Sequence, residues 1–209
     1  KDCFDGLCSA WVYRLWLKAN KIPLELVEFI AMSHDKEKVP ESASGKRVAL
    51  LDFCFDKQET LDQLTGMAQH VLIIDHHKST TTLDFSKTFP IIDMNLSGAQ
   101  LTWDAFMTST PRLPIIDYIG DRDLWKYEQP HSKAICTYIY SQAMSFENLE
   151  KLSKEWDIYR YADMGELLLR VRSEQINNFV KSAFPATMTV GEKDYQVMVV
   201  DCNWMFRSD

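Results

Sequence analysis

Apolar residues fall into two rhythms along this chain. Val48-Ala-Leu-Leu51 and Val71-Leu-Ile-Ile74 are short unbroken aliphatic runs, which read as buried strands. Between them Leu61, Leu64, Met67 and Ala68 recur at the spacing of one helix face. Strand, helix and strand make a βαβ unit, whose two strands lie parallel through a right-handed crossover. Phe89-Pro-Ile-Ile92 reads as a further strand, and Ser97-Gly98 leads into a helix carrying Leu101, Ala105 and Phe106. Near the start, Leu7, Ala10, Trp11, Leu15 and Ala19 mark an amphipathic helix. The expected class is α/β: a parallel, Rossmann-like sheet with helices on both faces, over residues 1–140.

Past that point the rhythm turns helical. Met164, Leu167, Leu168, Val171, Ile176, Phe179, Val180 and Ala183 repeat at three- and four-residue steps, predicting a helical stretch over residues 141–185. Residues 186–190 and 195–201 flank Gly191-Glu-Lys-Asp194 and predict a hairpin with a four-residue turn.

The polar residues gain meaning from where these runs stop. The strand at 71–74 ends on Asp75-His76-His77, and the strand at 48–51 ends on Asp52. Parallel strands of one βαβ unit put their carboxyl ends side by side, and ligands bind there because the flanking loops diverge. Asp5, in Cys3-Phe4-Asp5-Gly6, opens the first helix, with Gly6 expected to ease the passage into it. Ile115-Ile-Asp117-Tyr-Ile-Gly-Asp121-Arg-Asp123-Leu-Trp125 offers three more acids, and spacing alone does not choose among them. Asp117 or Asp121 could equally pair with Arg122 on a solvated face. Lys78 and Ser79 open a hydroxyl-rich loop, 78–82, placed to contact phosphate oxygens.

Composition narrows the partners. At 209 residues and 46% hydrophobic the chain can bury one good core and part of another. A net charge of −7 argues against extended duplex binding, which relies on basic surface. No apolar run approaches the roughly 20 residues needed to cross a bilayer. The five cysteines follow no disulfide or zinc-ribbon spacing, so a reducing, intracellular and most simply cytoplasmic compartment is expected, with the organelle unspecified. Cys8, Cys54, Cys136 and Cys202 read as small buried thiols. The aromatic residues, six tryptophans among them, read first as core and second as stacking surfaces for bases.

Cys-Phe-Asp-Gly at 3–6, Leu-Asp-Phe at 51–53, Asp-His-His at 75–77 and Asp-Arg-Asp-Leu-Trp at 121–125 together resemble the DHH phosphoesterases. That family includes RecJ-type exonucleases, oligonucleotide and cyclic-dinucleotide phosphodiesterases, and relatives of exopolyphosphatase and manganese-dependent pyrophosphatase. The resemblance implies metal ligands at Asp5, Asp52, His76 and Asp123, with Asp52 bridging two ions and Asp121 as the reserve for Asp123. It implies that Asp75 orients the ligands and that His77 faces the phosphate, making these two the catalytic pair. Substrate contacts would come from His77, Lys78 and Ser79. The resemblance further implies that the helical stretch, 141–185, is a linker between two domains. Residues 186–209 would then begin the smaller α/β, substrate-binding one, which the sequence does not complete. The cofactor implied is manganese or magnesium, one or two ions.

Cys3 stands where the family usually has an acid. Were it a ligand, zinc would suit the site better, since thiolates favour softer ions. The family's first-motif histidine would fall before Lys1, so a longer parent protein is expected. The function implied is hydrolysis of a phosphodiester in a short single-stranded oligonucleotide, a cyclic dinucleotide or another small phosphorylated substrate. Two alternatives stand beside it: a polyphosphatase or pyrophosphatase, and a degenerate member kept as a binding or assembly module. A homodimer is compatible with all three.

Overall fold

The computed structural model describes residues 3–33 and 38–201. Its centre is a three-stranded parallel sheet in the order β1-β2-β3, formed by Arg47–Leu51, His70–Asp75 and Phe89–Ile92. β2 is paired on both sides, which is why its run of apolar residues is continuous rather than alternating. Pro90 sits on β3, an outer strand, where a residue without an N–H is tolerated. Helix α2, Gln58–Met67, makes the crossover between β1 and β2. The chain is thus a mixed α/β protein, with its strands where the aliphatic runs place them.

Two apolar clusters support the sheet. Leu61 and Leu64 of α2 pack with Leu50, Val71 and Ile73 and with Phe53, Cys54 and Phe55 from the loop after β1. The larger cluster joins five further helices to α1, Phe4–Ala19. These are α3 (Gly98–Phe106), α4 (Pro114–Asp123), α5 (Ser132–Tyr140), α6 (Phe146–Lys154) and α7 (Ile158–Lys181). Trp11, Trp103, Ile115, Ile119, Ile135 and Tyr161 are among its buried members. Because α1 and α3 also touch β1 and β2, this helical cluster fixes the position of the strand ends.

The segment expected as a linker is not a free connector. Leu149 and Leu152 of α6, and Tyr161 and Ala162 of α7, belong to the same core as α1 and α4. The Tyr161 hydroxyl donates to the Leu152 carbonyl at 3.0 Å. Only farther along does α7 expose its apolar residues, with Leu167, Val171 and Val180 about half exposed. β4 (Phe184–Val190) and β5 (Lys193–Val199) then form the expected hairpin. Val190 pairs with Lys193, so the turn is two residues, not four. Gly191, at φ 63°, makes that tight reversal possible. Cys8, Cys54 and Cys136 are buried as expected, and Cys202 lies outside the described residues. Among the described residues no helix is long and apolar enough to cross a membrane.

Two helical glycines separate packing from propensity. A Cβ on Gly165 of α7 would overlap the Ala134 carbonyl of α5, whereas one on Gly66 of α2 would meet nothing within 4 Å. Gly66→Ala should therefore stabilise the protein by about 0.5–1 kcal/mol through helix propensity. Gly165→Ala should lower the melting temperature in spite of the same gain. Thermal unfolding of the two variants checks this, and equal stabilisation would contradict the close packing of α5 on α7.

Candidate metal centre

Strand register brings the first acids together. Leu51 pairs with Ile74, so β1 and β2 end side by side, and the Asp52 amide donates to the Ile74 carbonyl at 2.8 Å. Asp52 leaves the strand at φ 53°, in the left-handed region that costs a residue with a Cβ about 1–2 kcal/mol. Its carboxylate is thereby turned into the space over the strand ends. Gly6 and Gly98 press against it from two helices. A Cβ on Gly6 would lie 3.2 Å from Asp52 Oδ2, and one on Gly98 would lie 2.6 Å from Asp52 Oδ1. Gly6 is therefore not the strand-to-helix passage expected of it; it already lies inside α1, and its smallness makes room for the acid.

Asp5 occupies the first turn of α1 and is fully buried. Ser97 Oγ donates to Asp5 Oδ1 at 2.8 Å and the Ala99 amide donates to the same oxygen at 3.2 Å. Ser97 also caps α3 in a reciprocal box with Gln100, so one hydrogen-bonded start of a helix orients the acid. The other oxygen, Asp5 Oδ2, is buried without a hydrogen-bond partner among the described residues, and so is Asp52 Oδ1. Both lie near His76 Nε2, at 3.9 Å and 3.2 Å. Asp123 Oδ2 completes the set at 3.3 Å from the same nitrogen.

The choice among the acids of α4 is resolved by what each touches. Asp123, at the end of the helix, reaches His76. Asp121 is a structural acid: its carboxylate accepts from the Glu128 and Gln129 amides and from the Ser132 hydroxyl. Asp117 accepts from Gln100 Nε2 and Arg112 Nη1. Neither Asp117 nor Asp121 makes the expected pair with Arg122, whose guanidinium instead lies 4.2 Å from the centre of the Tyr140 ring.

Electrostatics follow from this crowding. Burial first, then Asp52 and Asp123, hold the Asp5 carboxyl well above the usual carboxylate range. Burial and Asp52 likewise raise Asp123, offset in part by His76, His77 and Arg122. Asp75 lies apart from this trio. Its Oδ1 accepts from the His76 amide at 2.9 Å and from His77 Nδ1 at 2.7 Å, so it orients the His77 ring and not the His76 ring. That hydrogen bond, partly opposed by desolvation, pushes the His77 pKa up to about 9.

Among the described residues, two sets of three side chains have ligand atoms within 4.8 Å of one another: Asp52, His76 and His77, and Asp5, His76 and Asp123. His77 is thus near enough to hold a cation as well as to face a substrate. Cys3 belongs to neither set. Its thiol is 3.7 Å from Asp52 Oδ2, and desolvation followed by the Asp52 charge pushes its pKa up to about 12. The geometry uses it as a weak donor to Asp52. Lys78 and Ser79 are exposed at the start of a 3-10 turn, Lys78–Thr82. The hydroxyls of Thr80, Thr81 and Thr82 donate to the carbonyls of His77, Lys78 and Ser79. Most of the loop's hydroxyls are therefore committed to its own backbone instead of being free for phosphate.

The donor set fits a hard divalent ion: three carboxylates, one or two imidazoles, and buried oxygens that no protein donor satisfies. Ser97, Gly98 and Gly6 complete the arrangement. Gly6 was legible as part of the Cys-Phe-Asp-Gly motif and Ser97-Gly98 as a helix start, but nothing in either signal linked them to the Asp52 carboxylate or Ser97 to Asp5.

No family model matches the chain. No solved structure matches it either. An uncharacterized protein of Acanthamoeba polyphaga mimivirus is 26% identical to it over 220 residues, which cover 99% of this chain and 51% of that protein. The chain spans about half the length of this curated relative.

Two outcomes test the geometry. In chelator-treated protein, NMR titration should show His77 with a pKa of about 9, returning toward 6.5 in Asp75→Asn. Because the folded value lies above the unfolded one, this pair's contribution to stability is complete below about pH 6.5 and is lost as pH rises through about 9. Gly98→Ala should push Asp52 aside and weaken manganese binding at least about tenfold, the scale for losing a group that orients a metal ligand. Unchanged affinity by titration calorimetry would contradict the close approach.

Proposed function

We propose that the protein is a metal-dependent phosphoesterase that hydrolyses a phosphodiester in a short oligonucleotide or cyclic dinucleotide. One observation carries the reading: His76 Nε2 lies within 3.9 Å of carboxylates from three separate segments, Asp5, Asp52 and Asp123. Three carboxylates share one imidazole, two of them buried, so desolvation and mutual repulsion oppose the arrangement and a cation would offset both. The resemblance of the four motifs to the DHH phosphoesterases supports the same conclusion. A small phosphorylated substrate suits a site whose own charge is negative until it is loaded with metal.

Asp5, Asp52, His76 and Asp123 would hold manganese or magnesium, and His77 is given to the substrate, since a ring that donates to phosphate has no lone pair left for a metal. A divalent ion there supplies Lewis acidity toward water and phosphoryl oxygen. The remaining work falls to the chain. Ser97 and the Ala99 amide fix Asp5; the left-handed backbone and the two glycines fix Asp52. Asp75 accepts from His77 Nδ1, favours the imidazolium in the metal-free site and leaves the other nitrogen directed away from itself. A protonated imidazole there donates to a nonbridging phosphate oxygen and stabilises charge as it develops. No protein nucleophile is required.

Asp52→Asn tests this reading with opposing signs. Removing one like charge from the cluster, at a left-handed position that Asn tolerates, should stabilise the metal-free protein by on the order of 1 kcal/mol. The same change should abolish the rise in melting temperature caused by manganese and lower turnover of a dinucleotide by more than about a hundredfold. Scanning calorimetry with and without manganese, and a panel of dinucleotides, cyclic dinucleotides, pyrophosphate and polyphosphate, provide the readouts. Wild-type turnover in the variant would remove the assignment. Turnover of pyrophosphate or polyphosphate alone would move it to phosphoanhydrides.

A further inference from the structure

We propose that the exposed indole of Trp125 is a stacking platform for a nucleobase whose phosphate lies at the acid cluster. The proposal rests on the phosphoesterase reading and narrows its substrate class to nucleotides. Trp125 is 66% exposed, although a tryptophan ordinarily gains more from burial than any other side chain. It follows Asp123 by two residues, so its backbone lies within about 7 Å of that of the acid. Its φ is 53°, a region that bulky residues rarely enter, and Tyr127 shares it at φ 52°. Neither core packing nor an easy turn explains an indole held in this way.

The segment that carries it is firmly anchored. The Trp125 amide donates to the Arg122 carbonyl at 2.9 Å, and the Lys126 and Tyr127 amides donate to the Asp121 carbonyl at 3.0 and 3.4 Å. The buried Asp121 carboxylate gathers the Glu128 and Gln129 amides and the Ser132 hydroxyl from the same loop. Lys126 Nζ donates to the Asn95 carbonyl at 2.8 Å and ties the loop to the chain that precedes α3. The Tyr127 ring meets Trp125 edge-on, with centroids 6.1 Å apart and planes at 86°, and Lys133 Nζ lies 5.5 Å from the Tyr127 ring centre. With its backbone anchored before the ligand arrives, only the indole's own rotation remains to be ordered on stacking, which favours its use as a platform. Stacking accepts any base and gives no contact to an inorganic phosphate chain, so it separates nucleotides from polyphosphate.

The test uses AMP and pyrophosphate as probes, titrated calorimetrically into manganese-loaded wild type, Trp125→Ala and Trp125→Tyr, with tryptophan fluorescence recorded in parallel. AMP should quench the wild-type fluorescence. Trp125→Ala should weaken AMP about ten- to a hundredfold, at least tenfold more than it weakens pyrophosphate, and Trp125→Tyr should restore most of the loss. Equal loss for the two probes, unaltered AMP affinity in Trp125→Ala, or no AMP binding by wild type would overturn the platform. Dinucleotide hydrolysis by wild type is scored separately. Hydrolysis with unaltered AMP affinity removes the platform and leaves the phosphoesterase standing. AMP stacking without hydrolysis supports the platform and removes the phosphoesterase.

Discussion

Negative charge gathered where the protein supplies too few donors is the constraint on which this molecule depends. Asp5 and Asp52 are buried, each with an oxygen that no hydrogen bond satisfies, and Asp123 joins them around a single imidazole. Such a cluster opposes folding by desolvation and by repulsion among the acids. The strand register, the start of α1 and the end of α4 all serve to hold it together. Structural ion pairs also perturb pKa values, but they match acids with bases; here three acids share one imidazole, and burial and the Asp52 charge outweigh the bases in raising Asp5 and Asp123.

Holding acids against their mutual repulsion takes rigid supports, and the structure supplies them from outside the motifs. Asp52 stands at a strained backbone position between two glycines, so its carboxylate has few alternative orientations. Asp5 is fixed by a helix-capping serine that lies 92 residues away in sequence. Asp121, two residues before Asp123, gathers the loop after α4 into a firm strap. On the proposed reading, these contacts would arrange the site in advance for a metal ion, so that its ligands need not reorganise on binding.

The fold was legible wherever hydrophobic period decided it. The aliphatic runs gave β1, β2 and β3 almost residue for residue, since a strand paired on both sides, or ending beside one, leaves a continuous apolar signature. Asp52 and His76 were readable as neighbours because parallel strands align their carboxyl ends. Four matters were not legible in spacing or period alone. The choice of Asp123 over Asp121 came from the motif resemblance alone, because it depends on where α4 ends and on which way each side chain leaves it, which spacing cannot supply. The role of Gly6 was misjudged, because a small residue admitting a distant acid looks the same in sequence as one that eases a turn. The hairpin was read with too long a turn, since Lys193 and Asp194 look like turn residues but pair across the strands. The joining of α6 and early α7 to the main core was also hidden, because an amphipathic stripe shows that a helix is buried without showing against what.

The central claim, that these acids and His76 form one cation site, is tested most directly by anomalous diffraction from crystals of the protein grown with manganese. The account predicts an anomalous peak enclosed by Asp5, Asp52, His76 and Asp123, at ligand distances near 2.0–2.3 Å for a hard divalent ion. Crystals saturated with manganese that show no peak there, with the four side chains in the positions described, would contradict it.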